Sequence, residues 1–269
     1  MEALRKMAVA GTFYPASCQK IKTMFQEFNR RFDALDIPPK TRKITPKAVI
    51  VPHAGYIYSG YTANFAYRFL APSRAKRFIV IGPSHHVYFK GISGSFFEQF
   101  QTPCGNLAID TPYLFALAKR FNIGFIPKAH AKEHSTEVQM PFLQHYFPKR
   151  KVIELIYGDV SVETLMNIIT ALLEDKDNAV IISSDLSHFH PPKEAEAIDR
   201  NCLLGVQNLD YDRLQKCEAC GELGIKAMVL AAKALKLHSK LLDYRTSAAV
   251  TGDTHSVVGY MSAMFYADI

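Results

Sequence analysis

The chain has no run of 18 or more consecutive apolar residues, which excludes a membrane-spanning helix. Its first fifteen residues, MEALRKMAVAGTFYP, lack the basic start, extended apolar region and cleavage site of a secretory signal. The expected location is the cytoplasm. Cysteine is sparse and odd in number: Cys18, Cys104, Cys202, Cys217 and Cys220 are scattered through 269 residues. That spacing is not the framework of a small disulfide-stapled scaffold. The net charge is +7, but the basic residues fall in short groups such as Lys40-Thr41-Arg42-Lys43 and Lys149-Arg150-Lys151. Such groups read as solvated surface. Nucleic acid binding wants a denser stripe and a recognisable module, and neither is present. Internal repeats, low-complexity tracts and linkers are also lacking, so residues 1–269 read as one domain.

What the chain has is a series of β-branched runs that each end in a polar cluster. Lys47–Pro52 leads into His53-Ala54-Gly55-Tyr56, and Arg77–Gly82 into Pro83-Ser84-His85-His86. Ala179–Ser183 leads into Ser184-Asp185-Leu186-Ser187-His188-Phe189-His190. Continuous hydrophobic runs of this length read as strands buried on both faces. If the strands are parallel, their polar ends meet at one edge of the sheet, where ligands bind in open α/β folds.

Helical patterns alternate with these strands. Ser17 caps a helix carrying Ile21, Met24, Phe25, Phe28 and Phe32, and Asp36–Thr45 is a connection. Helices are expected over Tyr61–Leu70, from Thr111-Pro112, over Glu133–Tyr146, from Ser161 to Leu173, over Pro191–Gly205 and over Gly221–Leu237. Further strands are expected at Ile123–Pro127, Lys151–Tyr157, Ser239–Thr246 and Val257–Ala267. Antiparallel pairs are expected from Val257–Ala267 and from the Gly91–Ile109 region. The alternation implies an α/β fold: a single-domain α/β/α sandwich with a largely parallel central sheet.

His53 and His85 stand in equivalent places after two strands. Neutral imidazoles from adjacent strand ends commonly hold a transition metal. Asp185 and His188, three residues apart, share a face if a helical turn starts there. Asp185 then orients His188, or His188 acts as general acid/base, or the pair simply begins a turn. Glu133 and Glu137 share a face at i,i+4 and either complete a metal site with His134 or form a solvated helix start. Cys217-Glu218-Ala219-Cys220 is a lone C-x-x-C, weak as a zinc signal. Cys220 precedes a strong helical pattern. It reads either as structural or as a thiol with a pKa lowered at a helix N-terminus.

Several of these motifs together resemble the Memo family. They are Ala10–Pro15 (AGTFYP), Pro52–Tyr56 with Tyr58-Ser59-Gly60, Gly82–His86, Glu133-His134-Ser135, Ser183–His188, Cys220-Gly221 and Val257–Tyr260. In order they cover nearly the whole chain. Microbial members are called AmmeMemoRadiSam system protein B, and the family is named for a mediator of ErbB2-driven motility in animals. The resemblance implies a fold like that of class III extradiol dioxygenases, which are non-haem iron enzymes. It implies His53, His85 and Cys220 as metal ligands, with Asp185 and His188 as the catalytic polar pair beside them. In the dioxygenases the third ligand is a carboxylate. A thiolate at Cys220 softens the site toward copper, zinc or redox-prone iron. Cys217 matches no family motif, and a disulfide from it to Cys220 would remove the ligand.

Two functional readings follow. The first is an iron- or copper-dependent metalloprotein with redox or oxygenase-like chemistry on an unknown small molecule or peptide. The second is a binding or accessory protein, without turnover, whose pocket recognises a peptide or modified residue. The family's microbial name implies radical SAM and AMMECR-type proteins as partners. A metal-dependent hydrolase ranks third.

Overall fold

The computed structural model describes residues 3–253 and 255–268. In chain order its elements begin with β1 (Leu4–Arg5), α1 (Cys18–Asp33), α2 (Pro39–Arg42), β2 (Ala48–Val51), α3 (Tyr56–Leu70) and β3 (Arg77–Pro83). Then come β4 (Ile92–Gly94), β5 (Gln99–Thr102), β6 (Gly105–Ala108), α4 (Thr111–Phe121), α5 (Pro127–Ala131), α6 (His134–Glu137) and α7 (Met140–Tyr146). The second half holds β7 (Lys151–Tyr157), α8 (Val162–Glu174), β8 (Asn178–Ser183), β9 (His188–His190), α9 (Pro192–Gln207) and α10 (Tyr211–Leu214). It closes with α11 (Glu222–Ala234), β10 (His238–Thr246), α12 (Ala248–Thr251) and β11 (Val257–Tyr266).

The main sheet has eight strands in the order β10-β11-β2-β8-β3-β7-β4, with β9 paired to β11. Its centre, β2-β8-β3-β7, is parallel. The flanking strands β11, β10 and β4 are antiparallel to their neighbours. A small second sheet, β1-β5-β6, covers one side.

The alternation of side chains along the central strands shows why the sheet is covered on both faces. Ile50, Ile79, Ile81, Ile153, Val180 and Ile182 belong to one core, packed with α8, α9 and α11. Their neighbours Val49, Val51, Phe78, Val80, Val152 and Ile181 belong to another, packed with α1, α3 and α7. The molecule is therefore an α/β/α sandwich.

The capping residues act as expected. Ser17 accepts a hydrogen bond from Lys20 N and Ser161 accepts from Thr164 N. In α1, Ile21, Phe25, Phe28 and Phe32 are buried along one stripe.

Three local expectations are corrected. Glu133–Tyr146 is not one helix: α6 and α7 are separate, and Pro141 near the start of α7 cannot continue the α6 ladder. Ile123–Pro127 is not a strand; Gly124 makes only an isolated bridge to Ser93. The cysteines are paired: Cys18 with Cys104 and Cys202 with Cys217. Cys217 is thereby committed elsewhere, and Cys220 is the free thiol.

Candidate metal centre

The parallel strands deliver their C-terminal ends to one edge. His53 follows β2, His85 follows β3 and Asp185 follows β8. The strands bearing the two histidines are not adjacent, because β8 lies between them. Their rings nevertheless meet across it, with centroids 5.1 Å apart and planes nearly perpendicular. Cys220 arrives from the other direction, one residue before Gly221, the N-cap of α11. Its Sγ lies 3.1 Å from His53 Nε2. Ligand atoms of His53, His85 and Cys220 all lie within 4.8 Å of one another.

Glu133 orients His85. Its Oε1 lies 2.8 Å from His85 Nδ1, and its Oε2 accepts from the His85 backbone N–H at 2.6 Å. Burial alone would raise the Glu133 pKa. The hydrogen bonds and charge of His85, with the Ser135 N–H, outweigh that and bring it down to about 2. An ionised carboxylate can only accept, so His85 Nδ1 carries the proton, and Nε2 is the ring nitrogen left to face a metal.

Asp185 is buried between its own strand and the His53 turn. Its Oδ1 accepts from the backbone N–H groups of His53 at 2.7 Å and Ala54 at 3.2 Å. Burial nonetheless raises its carboxyl to about 7, against the opposing effect of those two bonds. Its backbone N–H donates to Cys220 Sγ at 3.3 Å. The expected helical turn linking Asp185 and His188 does not form: residues 184–187 are irregular and His188 begins β9. Asp185 is thus spent on the His53 loop, not on the His188 ring. His188 is half-buried at the same edge, and burial lowers its pKa.

Cys220 departs from the expectation of an acidic helix-end thiol. Burial first, then the neighbouring Asp185 charge, push the thiol up to about 12. His53 is driven the other way: burial, then the charges of His85 and His134, hold its pKa well below the usual imidazole value. In the metal-free site the pair is a neutral thiol beside a neutral ring. A divalent cation inverts this preference, because a coordinating thiol loses its proton.

The two acidic residues around His134 part company. Glu133 serves His85, whereas Glu137 is buried and accepts from Arg5, Tyr14 and the backbone N–H groups of Ala8 and Val9. Glu137 therefore anchors the N-terminal segment and takes no part in the centre. His134 does reach it: its ring lies 4.4 Å from that of His85 and 5.4 Å from that of His53. His85, Glu133 and His134 also bring ligand atoms within 4.8 Å of one another, but there His85 Nδ1 is already held by Glu133. Ser183 and Gln139, which the sequence did not single out as site residues, lie directly behind His53.

A cleft of about 460 Å³ opens onto His85 and Cys220, with Tyr88, Asp159 and Leu223 in its walls. Large side chains stand exposed close in sequence to these histidines: Ile57 and Tyr58 at the start of α3, Tyr88 in the loop after His85, and Phe189 in β9. Phe189 has φ +64°, a conformation strained for a bulky residue, and is 77 % exposed.

The family profile described as Memo-like protein matches residues 5–264. A MEMO1 family protein of Methanosarcina mazei is 36 % identical over 96 % of this chain and 97 % of its own. One of Methanobrevibacter smithii is 34 % identical over 97 % of this chain and 99 % of its own. One of Aquifex aeolicus is 33 % identical with the same coverage. With the profile spanning nearly every described residue, the chain belongs to the Memo family.

Proposed function

We propose that this chain binds one transition-metal ion through His53 Nε2, His85 Nε2 and Cys220 Sγ, and uses it for redox or oxygenase-like chemistry in the cytoplasm. The observation that carries the reading is the convergence of these ligand atoms, with the Glu133 carboxylate on the far nitrogen of His85. A carboxylate behind a ligand histidine is the usual support of a metal site. Two imidazoles and one thiolate suit iron or copper, with zinc third. Bound there, such an ion supplies electron transfer and Lewis acidity.

The chain's own residues do the rest. Asp185, with its carboxyl near neutrality, holds or releases a proton beside Cys220. His188, neutral and half-buried at the same edge, exchanges protons with a substrate entering from the cleft. The substrate is a small molecule or a peptide side chain of a size the cleft admits. The relation to extradiol dioxygenases belongs to this proposal, and Cys220 is where it departs.

The exposed Ile57, Tyr58, Tyr88 and Phe189 favour a second reading, in which the same edge docks a partner without turnover. Radical SAM and AMMECR-type proteins are the partners proposed under it.

Metal analysis of anaerobically purified protein tests the first reading. Stoichiometric iron or copper is expected in the wild type and less than a tenth of it in His53→Ala and Cys220→Ala, with unchanged circular dichroism. Full metal content in both variants would refute the ligand assignment.

A further inference from the structure

Behind His53 lies a closed set of hydrogen bonds that fixes which ring nitrogen carries the proton. Ser183 Oγ has one proton and two lone pairs. It lies 2.6 Å from the Ser135 carbonyl oxygen, which can only accept, so the Ser183 proton is committed there. Gln139 Nε2 donates to Ser183 Oγ at 2.9 Å and fills one lone pair. The amide cannot be turned around, because the same nitrogen lies 2.9 Å from the Pro52 carbonyl, another pure acceptor. Tyr67 OH completes the arrangement by donating to Gln139 Oε1 at 3.0 Å. One lone pair of Ser183 remains, and His53 Nδ1 stands 3.0 Å from it. Only a protonated Nδ1 can make that bond. Ser183, Gln139 and Ser135 are fully buried and His53 nearly so, so no water substitutes for a missing partner.

We infer that Ser183, held by Gln139 and the Ser135 carbonyl, is a positioning residue that locks His53 as the Nδ1–H tautomer and so presents Nε2 as a ligand. This rests on the proposed metal site and goes beyond its ligand set. It also gives the turn Glu133–Ser135 a double role. Glu133 fixes the tautomer of His85, and the Ser135 carbonyl fixes that of His53 through Ser183. The two rings come from strands separated by β8, yet one turn sets both. Ser135 is itself tied down, its N–H to Glu133 Oε1 and its hydroxyl to the Pro83 carbonyl. Gln139 acts one step further back, since Ser183 keeps its donor and its last acceptor site without it.

The test uses metal-free full-length protein labelled with ¹⁵N-histidine and long-range ¹H–¹⁵N correlation, with His53 assigned by comparison with His53→Gln. The expected spectrum gives His53 a protonated Nδ1 and an unprotonated Nε2. A protonated Nε2 would overturn the inference, whatever metal the protein binds. Zn²⁺ affinity, measured by competition with a chelating dye, supplies the second readout. Ser183→Ala is expected to lose about 10- to 100-fold, and Gln139→Leu clearly less. Ser183→Cys, which restores a weak donor and acceptor, is expected to recover part of the loss. Equal affinity for wild type and a folded Ser183→Ala would overturn the positioning role. A wild type that binds no Zn²⁺, iron or copper, yet shows the expected tautomer, would instead overturn the metal reading beneath it.

Discussion

Asp185 shows how the site opposes stability at the level of one residue. In the unfolded chain its carboxyl titrates near the ordinary value of about 3.9, whereas burial in the fold raises it to about 7. Between those values the folded state holds a proton that the unfolded state has lost, so stability falls as pH rises through the window. Below about pH 4 both states are neutral and the residue costs nothing; above about pH 7 the full cost persists. Asp185→Asn keeps an acceptor for the His53 and Ala54 N–H groups and removes the charge. It is expected to raise the stability of the metal-free protein at pH 8 by up to about 4 kcal/mol and to leave it unchanged at pH 4. Urea titrations at the two pH values check this, and equal effects at both would contradict it. His53, His85 and Asp185 stood out as candidates because each follows a strong strand, whereas Cys220 became a candidate ligand only through the family resemblance. Ser183 and Gln139 were not. A serine at the end of a β-branched run and a glutamine between two helical turns look ordinary until the fold places them behind His53.

At the scale of the element, the end of β8 and the start of α11 meet with no room to spare. A Cβ built on Gly221 would lie 2.6 Å from Ser184 Cβ and 2.9 Å from the Ser183 carbonyl oxygen. The Gly221 N–H meanwhile donates to Ser184 Oγ at 2.9 Å. That close approach is what brings Cys220 to His53, and it explains the glycine directly after the cysteine. Gly221→Ala is expected to destabilise the fold by about 1–3 kcal/mol and to weaken metal binding by displacing Cys220. Thermal melts and metal titrations measure the two effects; a variant with native melting and native affinity would contradict the packing argument. The elements themselves were legible wherever apolar period and caps agreed, as in α1 and α8. Glu133–Tyr146 misread as one helix because its apolar spacing runs through Pro141, and the proline decides the matter.

Over the whole molecule, alternating strands and helices implied the sandwich, but strand order was not legible. The antiparallel pairing of β11 was expected, but local patterns do not record that β8 inserts between β2 and β3, nor that β11 lies beside β2. Long-range cysteine pairing was equally hidden, because spacing says nothing about which thiols the fold brings together. Cys18–Cys104 closes 86 residues and Cys202–Cys217 closes 15. On loop-closure entropy the bonds stabilise by about 4–5 and about 3 kcal/mol. Thiol labelling of unreduced, denatured protein is expected to modify Cys220 alone; labelling of all five cysteines would contradict the pairing. The second pair ties the loop before Cys220 to α9, so it bears on the site as well as on the fold. The most direct test of the central claim is X-ray absorption spectroscopy at the metal edge of anaerobically purified protein. The account predicts a shell containing one sulfur, at about 2.3 Å for zinc, with the scattering of two imidazoles, and loss of the sulfur contribution in Cys220→Ser. A shell of oxygen and nitrogen alone in the wild type would contradict it.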